Sequence, residues 1–249
     1  MTAFLTLTRR ELAGHFLSMR GYVIMAGIQL ILGGSLLMLM YQLNGLRHDL
    51  PFTEQLPQNQ FFWLVLLLMA PVITMRSFAQ EKSSGTLETL LTTPVSDAQV
   101  VLAKFAGSYL FFLIAFLPTL AYPFIVEQYA HRLVVDTRAV ISLGLGISLF
   151  GAFFMALGCF ASSLTRSQIV AAVLTFAAGT SLYLAGYLAI DTPTNPHWWD
   201  HVLRHVSMLR HMQDFAAGVL DSRHVFLYLS LTAVCLFFTY KSIESRRWK

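Results

Sequence analysis

Six stretches of this chain run for the length of a membrane crossing without a charged residue, and each is bounded at both ends by Arg, Lys, Asp or Glu. A hydrocarbon core needs about 20 consecutive apolar residues per helix, and a soluble core offers no use for so many. Lipid leaves no partner for free backbone groups, so spans of this length are helices; barrel strands would be about ten residues long and alternating in character. The expected spans cover about 21–43, 61–75 and 105–126, one stretch between Arg138 and Arg166, one between Arg166 and Asp191, and about 225–240. Pro118 and Pro123 are expected to kink the third near its outer end.

Composition supports this: 56% of the 249 residues are hydrophobic and 12% are charged, about half the usual charged fraction. The formal charge of +4 sits in residues flanking the apolar runs, with no basic stripe interleaved with aromatics, so it serves topology and not nucleic acid. Arg9, Arg10, Arg20, Arg76, Lys82, Lys104, Arg166, Lys241, Arg246, Arg247 and Lys249 fall on one side of a six-span layout. Arg47, Arg132, Arg138, Arg204, Arg210 and Arg223 fall on the other. The first set outnumbers the second, which places both termini in the cytoplasm by the positive-inside rule.

The segment preceding the first span intersperses Phe4, Leu5, Leu7, Leu12 and Phe16 with Arg9, Arg10 and Glu11, the pattern of an amphipathic helix lying in the interface. Leu43-Asn44-Gly45-Leu46-Arg47 is no small-residue cleavage site, so span one reads as an uncleaved anchor. Cys159 and Cys235 fall within spans and read as packed apolar side chains. Gly144, Ser148, Ala152 and Ala156 recur every four residues in span four, and Ala171, Thr175 and Gly179 do so in span five. Such stripes let backbones approach closely, within the chain or across a dimer.

No span carries an ionisable residue at its middle, which counts against proton-coupled transport and charged-ring channels. Polar candidates for a pathway are Gln29, Ser35, Ser108, Tyr109, Tyr122, Thr180 and Tyr183, although such residues more often serve helix packing. No Gly-rich phosphate loop ending in Gly-Lys-Ser/Thr is present, and no cluster has catalytic spacing. The chain therefore reads as a non-enzyme; if ATP drives it, another polypeptide binds the nucleotide.

The loop 76–104 is the most informative segment. Gly85 punctuates it, Thr86 to Leu91 can form a short helix with Leu87, Leu90 and Leu91 on one side, and Pro94 stops it. Ser96 and Gln99 form a capping-box pair, with Asp97 favourable to the dipole of a helix that continues through Lys104 into span three. The bland alternative is a solvated loop face. The pattern Glu81-Lys82, Gly85-Thr86-Leu87-Glu88, Leu90-Leu91, Pro94-Val95 and Lys104 resembles the type-2 ATP-binding-cassette permeases. Gly218 to Arg223 and Glu244 to Trp248 resemble the gliding-motility-associated branch. The resemblance implies that Glu81, Lys82, Gly85, Thr86, Leu87, Glu88, Leu90, Leu91 and Pro94 belong to a coupling helix docking on a dimer of cytoplasmic ABC ATPase subunits. These subunits would carry the ATP and magnesium, with no cofactor on this chain.

Outside the membrane, Trp198, Trp199, Val202, Leu203, Val206, Leu209, Met212 and Phe215 recur at helical spacing, so 191–224 is expected to hold short helices dipping into the outer leaflet. His197, His201 and His205 fall at four-residue intervals with Asp200 and His211 nearby; they could share a metal or form a wet helix face.

The resulting expectation is an all-α integral membrane protein with one transmembrane domain over 1–249: an interfacial helix at 1–20, six spans, the coupling loop, and re-entrant external helices. Its function would be that of the permease subunit of an ATP-driven exporter in the bacterial inner membrane, paired with a second permease copy or a paralogue. Its output would be movement of a hydrophobic or amphipathic substrate, or force on a periplasmic partner. The alternatives are a non-transport scaffold transmitting ATPase force, and an ion-coupled secondary transporter.

Overall fold

Several apolar runs begin on a side chain suited to closing a helix. Asn59, Asp136 and Asp221 each accept a hydrogen bond from the backbone N–H two residues on, at 2.9 Å from Phe61, 2.9 Å from Arg138 and 2.8 Å from Arg223. Ser96 and Gln99 form the expected reciprocal box, both bonds at 3.3 Å.

The computed structural model describes residues 2–43, 51–86, 95–130, 135–188, 205 and 207–245. In chain order its α-helices are α1 (Thr2–Phe16), α2 (Met19–Leu43), α3 (Phe52–Gln55), α4 (Gln60–Thr74), α5 (Ala79–Ser84), α6 (Asp97–Phe116), α7 (Tyr122–Ala130), α8 (Thr137–Leu164), α9 (Gln168–Leu188), α10 (Met208–Ala216) and α11 (Ser222–Glu244). There is no strand among the described residues, and six helical segments are long and apolar enough to cross a membrane. They are α2, the run beginning with α4, α6 with α7, α8, α9 and α11, which reproduces the six expected crossings.

Burial ranks these spans. In α8, 72% of the most apolar window is buried inside the chain, against 22% for each of α2, α9 and α11. The fourth span is therefore the centre, packed against α4, α6, α9, α10 and α11, while the peripheral spans turn most of their surface outward. The core around α8 is aromatic: Phe150 meets Trp63 edge-on at 5.9 Å and Tyr228 at 4.5 Å. Phe62, Phe111, Phe112 and Phe154 are fully or almost fully enclosed.

The third crossing bends at its proline. α6 tightens into a 3-10 turn at Leu117–Ala121 containing Pro118, and Pro123 falls in the first turn of α7, where a missing N–H costs little. Where α-helical pairing gives way to the tighter turn, the Ala115 carbonyl accepts instead from the Gln29 amide at 2.7 Å. The Tyr122 hydroxyl donates to the other end of that amide at 3.0 Å. A lipid-embedded bend thus has its backbone satisfied by a side chain from α2. Replacing Gln29 with leucine is expected to destabilise the fold by about 1–3 kcal/mol, the cost of stranding a buried acceptor. A fall in the thermal midpoint of the detergent-solubilised protein would register it; an unchanged midpoint would show that the bend does not need the bond.

The remaining polar candidates also look inward. Ser35 bonds back to the Leu32 carbonyl at 2.8 Å, Ser108 is buried, and Tyr183 packs on Trp63 with ring centres 5.1 Å apart. Cys159 is buried, Cys235 is half-buried, and both are free thiols.

Candidate functional site

A single hydroxyl organises the turn that follows α4. The last helical carbonyls and first amides at any helix junction lack partners, and here Ser162, near the end of α8, supplies them. Its Oγ accepts from the Phe78 and Ala79 amides at 3.1 and 3.0 Å and donates to the Met75 carbonyl at 3.2 Å. One residue on, the Ser163 carbonyl accepts from Lys82 Nζ and from Ser242 Oγ, the latter at 3.1 Å. The root of the loop is therefore fastened to α8, and α11 is fastened to the same point. α5 then stops at Gly85, whose φ of 73° is left-handed and strained for any residue with a Cβ.

The other side of α5 meets a buried cation. Lys104 is 3% exposed, and its Nζ lies 2.6 Å from Glu81 Oε1 and 3.2 Å from Glu11 Oε1. Its ammonium also sits 5.5 Å from the centre of the Phe78 ring. One lysine of α6 thus joins α1 to α5. Burial would push the Glu11 carboxyl up, but Lys104 and Arg10 beside it outweigh that and hold it below the usual carboxylate range. Burial lowers the pKa of His15, which stacks on Phe111 at 4.8 Å, so the imidazole is held neutral.

α1 and α2 meet at an elbow. Ser18 Oγ donates to the His15 carbonyl at 3.0 Å, and the Gly21 amide returns to the Ser18 carbonyl at 3.1 Å. A Cβ at Gly21 would lie 2.0 Å from the His15 carbonyl oxygen, so the elbow depends on that glycine. Between this elbow and the α4–α5 turn lies a cavity of about 770 Å³.

At another place in the bundle, α10 presents His211, Met212 and Phe215 to the core. His211 Nδ1 pairs with the Tyr228 hydroxyl at 2.8 Å, and its ring lies 3.9 Å from that of His224. Burial, then the neighbouring His224 and His205, pull its pKa down to about 4, so it is neutral at ordinary pH.

The family model described as ABC-2 family transporter protein matches residues 2–240, covering the elbow, the lysine node, five crossings and most of the sixth. The chain belongs to that family. No curated protein matches it. This ABC-2 permease is accordingly a multi-pass membrane subunit of an ABC transporter, a permease and not the ATPase, and its family implies association with an ABC ATPase subunit.

Of the residues that sequence patterns single out in the permease, Glu81 and Lys82 lie on α5 and point to different anchors, α6 and α8. Gly85 ends that helix, and Thr86 Oγ1 lies 2.9 Å from Ser84 Oγ. Leu87, Glu88, Leu90, Leu91 and Pro94 lie outside the described residues, and so does most of the helix expected between Thr86 and Leu91. The described loop helix is upstream of Gly85, in a polar stretch of good helix formers that its anchors hold in place.

Ala152 and Ala156 of the small-residue stripe are buried in the chain itself, Gly144 faces Leu120, and Ser148 bonds back to the Leu145 carbonyl at 2.8 Å. His205 is exposed, while His197 and His201 lie outside the described residues. Among the described residues no group of three histidines, cysteines or carboxylates is placed to hold a metal. Ser162 and Ser163 were not singled out from the sequence, and Glu11 only as part of the amphipathic pattern of α1. A signal for Glu11 existed, since Lys104 opens an apolar span with no carboxylate within four residues of it in either direction.

Proposed function

We propose that the end of the bundle bearing α1 and α5 faces the cytoplasm of a bacterium, and that the loop continuing from α5 through Glu88 and Leu91 docks onto a dimer of ABC ATPase subunits. ATP and magnesium act on those subunits, and closure of the dimer displaces the loop. The observation that carries this reading is the double anchorage of α5. Glu81 ties it to Lys104 of α6 and through that to Glu11 of α1, while Lys82 and the Ser162 hydroxyl tie it to α8. A push on the loop therefore reaches the interfacial helix, the third crossing and the central helix through charged or hydrogen-bonded contacts. A slack linker would dissipate the same push. The outcome is export of a hydrophobic or amphipathic substrate, or force on a periplasmic partner, by a membrane core of two permease copies or of paralogues in the inner membrane. Middles of spans free of ionisable side chains suit an apolar cargo.

Co-purification tests the docking step. Wild type and a Glu88→Ala, Leu91→Asp double variant, each coexpressed with the ATPase encoded beside it, are solubilised and captured on the permease. Wild type is expected to retain the ATPase, and the folded double variant to lose most of it. Equal retention by the two chains removes the loop from the docking surface, and capture of no ATPase by either overturns the reading.

A further inference from the structure

The cavity at the elbow has two chemically distinct walls. Val23 of α2 and Val72 of α4 line it and are themselves 68% and 38% exposed on apolar crossings, so one wall is continuous with the hydrocarbon. Glu11, Ser18, Arg20, Arg76, Glu81 and Lys104 line the other, at the level where the crossings end, with Lys104 already paired to both carboxylates. Cavities of about 300–1,000 Å³ with an apolar lining and a few convergent polar groups are typical ligand sites. This one opens between lipid and the charged rim.

The polar wall is incompletely satisfied. Among the described residues, Arg76 Nε and Glu81 Oε2 are buried without a hydrogen-bond partner, although Glu81 Oε1 is bound to Lys104. Buried donors and acceptors in this state cost free energy that a ligand can return. The terminal torsion of a glutamate is soft, so a small rotation turns Oε2 into the cavity, and the Arg76 guanidinium already lines it. A simple phosphate would satisfy Arg76 and Arg20 but leave the Glu81 oxygen unpaired and facing an anion. A simple cation would do the reverse. A head group bearing both a phosphate and a primary ammonium satisfies both, with its acyl chains along Val23 and Val72.

We propose that this cavity is a binding site for a zwitterionic aminophospholipid, its phosphate on Arg76 and Arg20 and its ammonium on Glu81. The bound lipid wedges the α1–α2 elbow against the α4–α5 turn, so its occupancy sets how stiffly α1 is coupled to α5. This goes beyond the docking reading and does not depend on it, because lipid binding is measured without ATPase turnover.

The test uses the permease purified by itself in mild detergent and stripped of lipid. Native mass spectrometry then follows titration with phosphatidylethanolamine, phosphatidylcholine and phosphatidylglycerol of identical chains. The wild type is expected to prefer the ethanolamine lipid by about tenfold, since a quaternary ammonium donates no hydrogen bond and a glycerol carries no charge. Glu81→Gln is expected to abolish the preference over the choline lipid, and Arg76→Gln to weaken all three. Val72→Trp fills the apolar wall without touching an ion pair and is expected to weaken all three with the thermal midpoint retained. Equal binding of the three lipids by wild type overturns the site, and so does an unchanged preference in Glu81→Gln. Should Glu81→Gln fail to fold, unchanged binding in both Arg76→Gln and Val72→Trp overturns it. Competition by soluble phosphoethanolamine as strong as by the lipid removes the acyl contribution and with it the lipid assignment.

Discussion

Replacing Lys104 with methionine is expected to destabilise the protein by about 3 kcal/mol or more, the usual cost of removing one partner of a buried charge cluster. Two carboxylates, Glu11 and Glu81, would then face each other across the space the ammonium occupied. Methionine keeps most of the volume, so the loss reports charge and not a cavity. The pH dependence identifies the cause. In wild type the Glu11 pKa is lowered, so its contribution is complete above its unfolded value and is lost as pH falls through the lower folded value. In the variant the lysine is gone and burial raises that pKa, so acidification relieves the variant. The gap between the two thermal midpoints should narrow between pH 7 and pH 4. A gap constant with pH would assign the loss to packing. A second substitution, Glu81→Gln on the methionine background, is expected to recover part of the midpoint.

The second large effect lies at the centre of the membrane. A Cβ at Gly151 would stand 2.0 Å from Cε1 and 2.5 Å from Cδ1 of Phe112, a ring that is fully buried and packed on Phe116 at 4.9 Å. The ring has nowhere to go, so Gly151→Ala must separate α6 from α8 and is expected to cost about 3 kcal/mol, at the upper end for overpacking. Gly144 lies two turns away on the same helix, where a Cβ would meet only the tip of Leu120 at 3.2 Å. Gly144→Ala is expected to be neutral or to stabilise by up to about 1 kcal/mol through helix propensity. Thermal midpoints of the two alanine variants side by side check this, and equal midpoints would refute it.

That contrast also shows what could be read from the chain before its fold was known. Gly144 belongs to a visible four-residue stripe, whereas the intolerance of Gly151 depends on which side chain opposes it, and no spacing rule specifies Phe112. The crossings were legible because charge marks their ends, and the Ser96–Gln99 box because its chemistry is local. α1 was legible as an amphipathic helix, but its ion pair with Lys104 spans 93 positions in the chain. α5 was missed because Gly85 drew the expected loop helix to Thr86–Leu91, although Ala79, Gln80, Glu81 and Lys82 are good helix formers. Local rules delivered the elements, and the long-range polar contacts that make a site from them came only with the fold.

The most enclosed crossing, α8, is also the fourth to leave the ribosome. Until it arrives, α4 and α6 can pair Phe62 with Phe116, but Trp63 lacks Phe150 and that face remains against lipid or the insertion machinery. Synthesis is vectorial, so the nascent permease passes through a stage in which half its spans are inserted and its core does not exist. Chains truncated before residue 164 should be recognised as unassembled, and those truncated just after it can pair Phe150 with Trp63 but still lack Tyr183 and Tyr228. Quality control of this subunit would then have two thresholds, the insertion of the fourth crossing that founds the core and that of the sixth, which closes it with Tyr228.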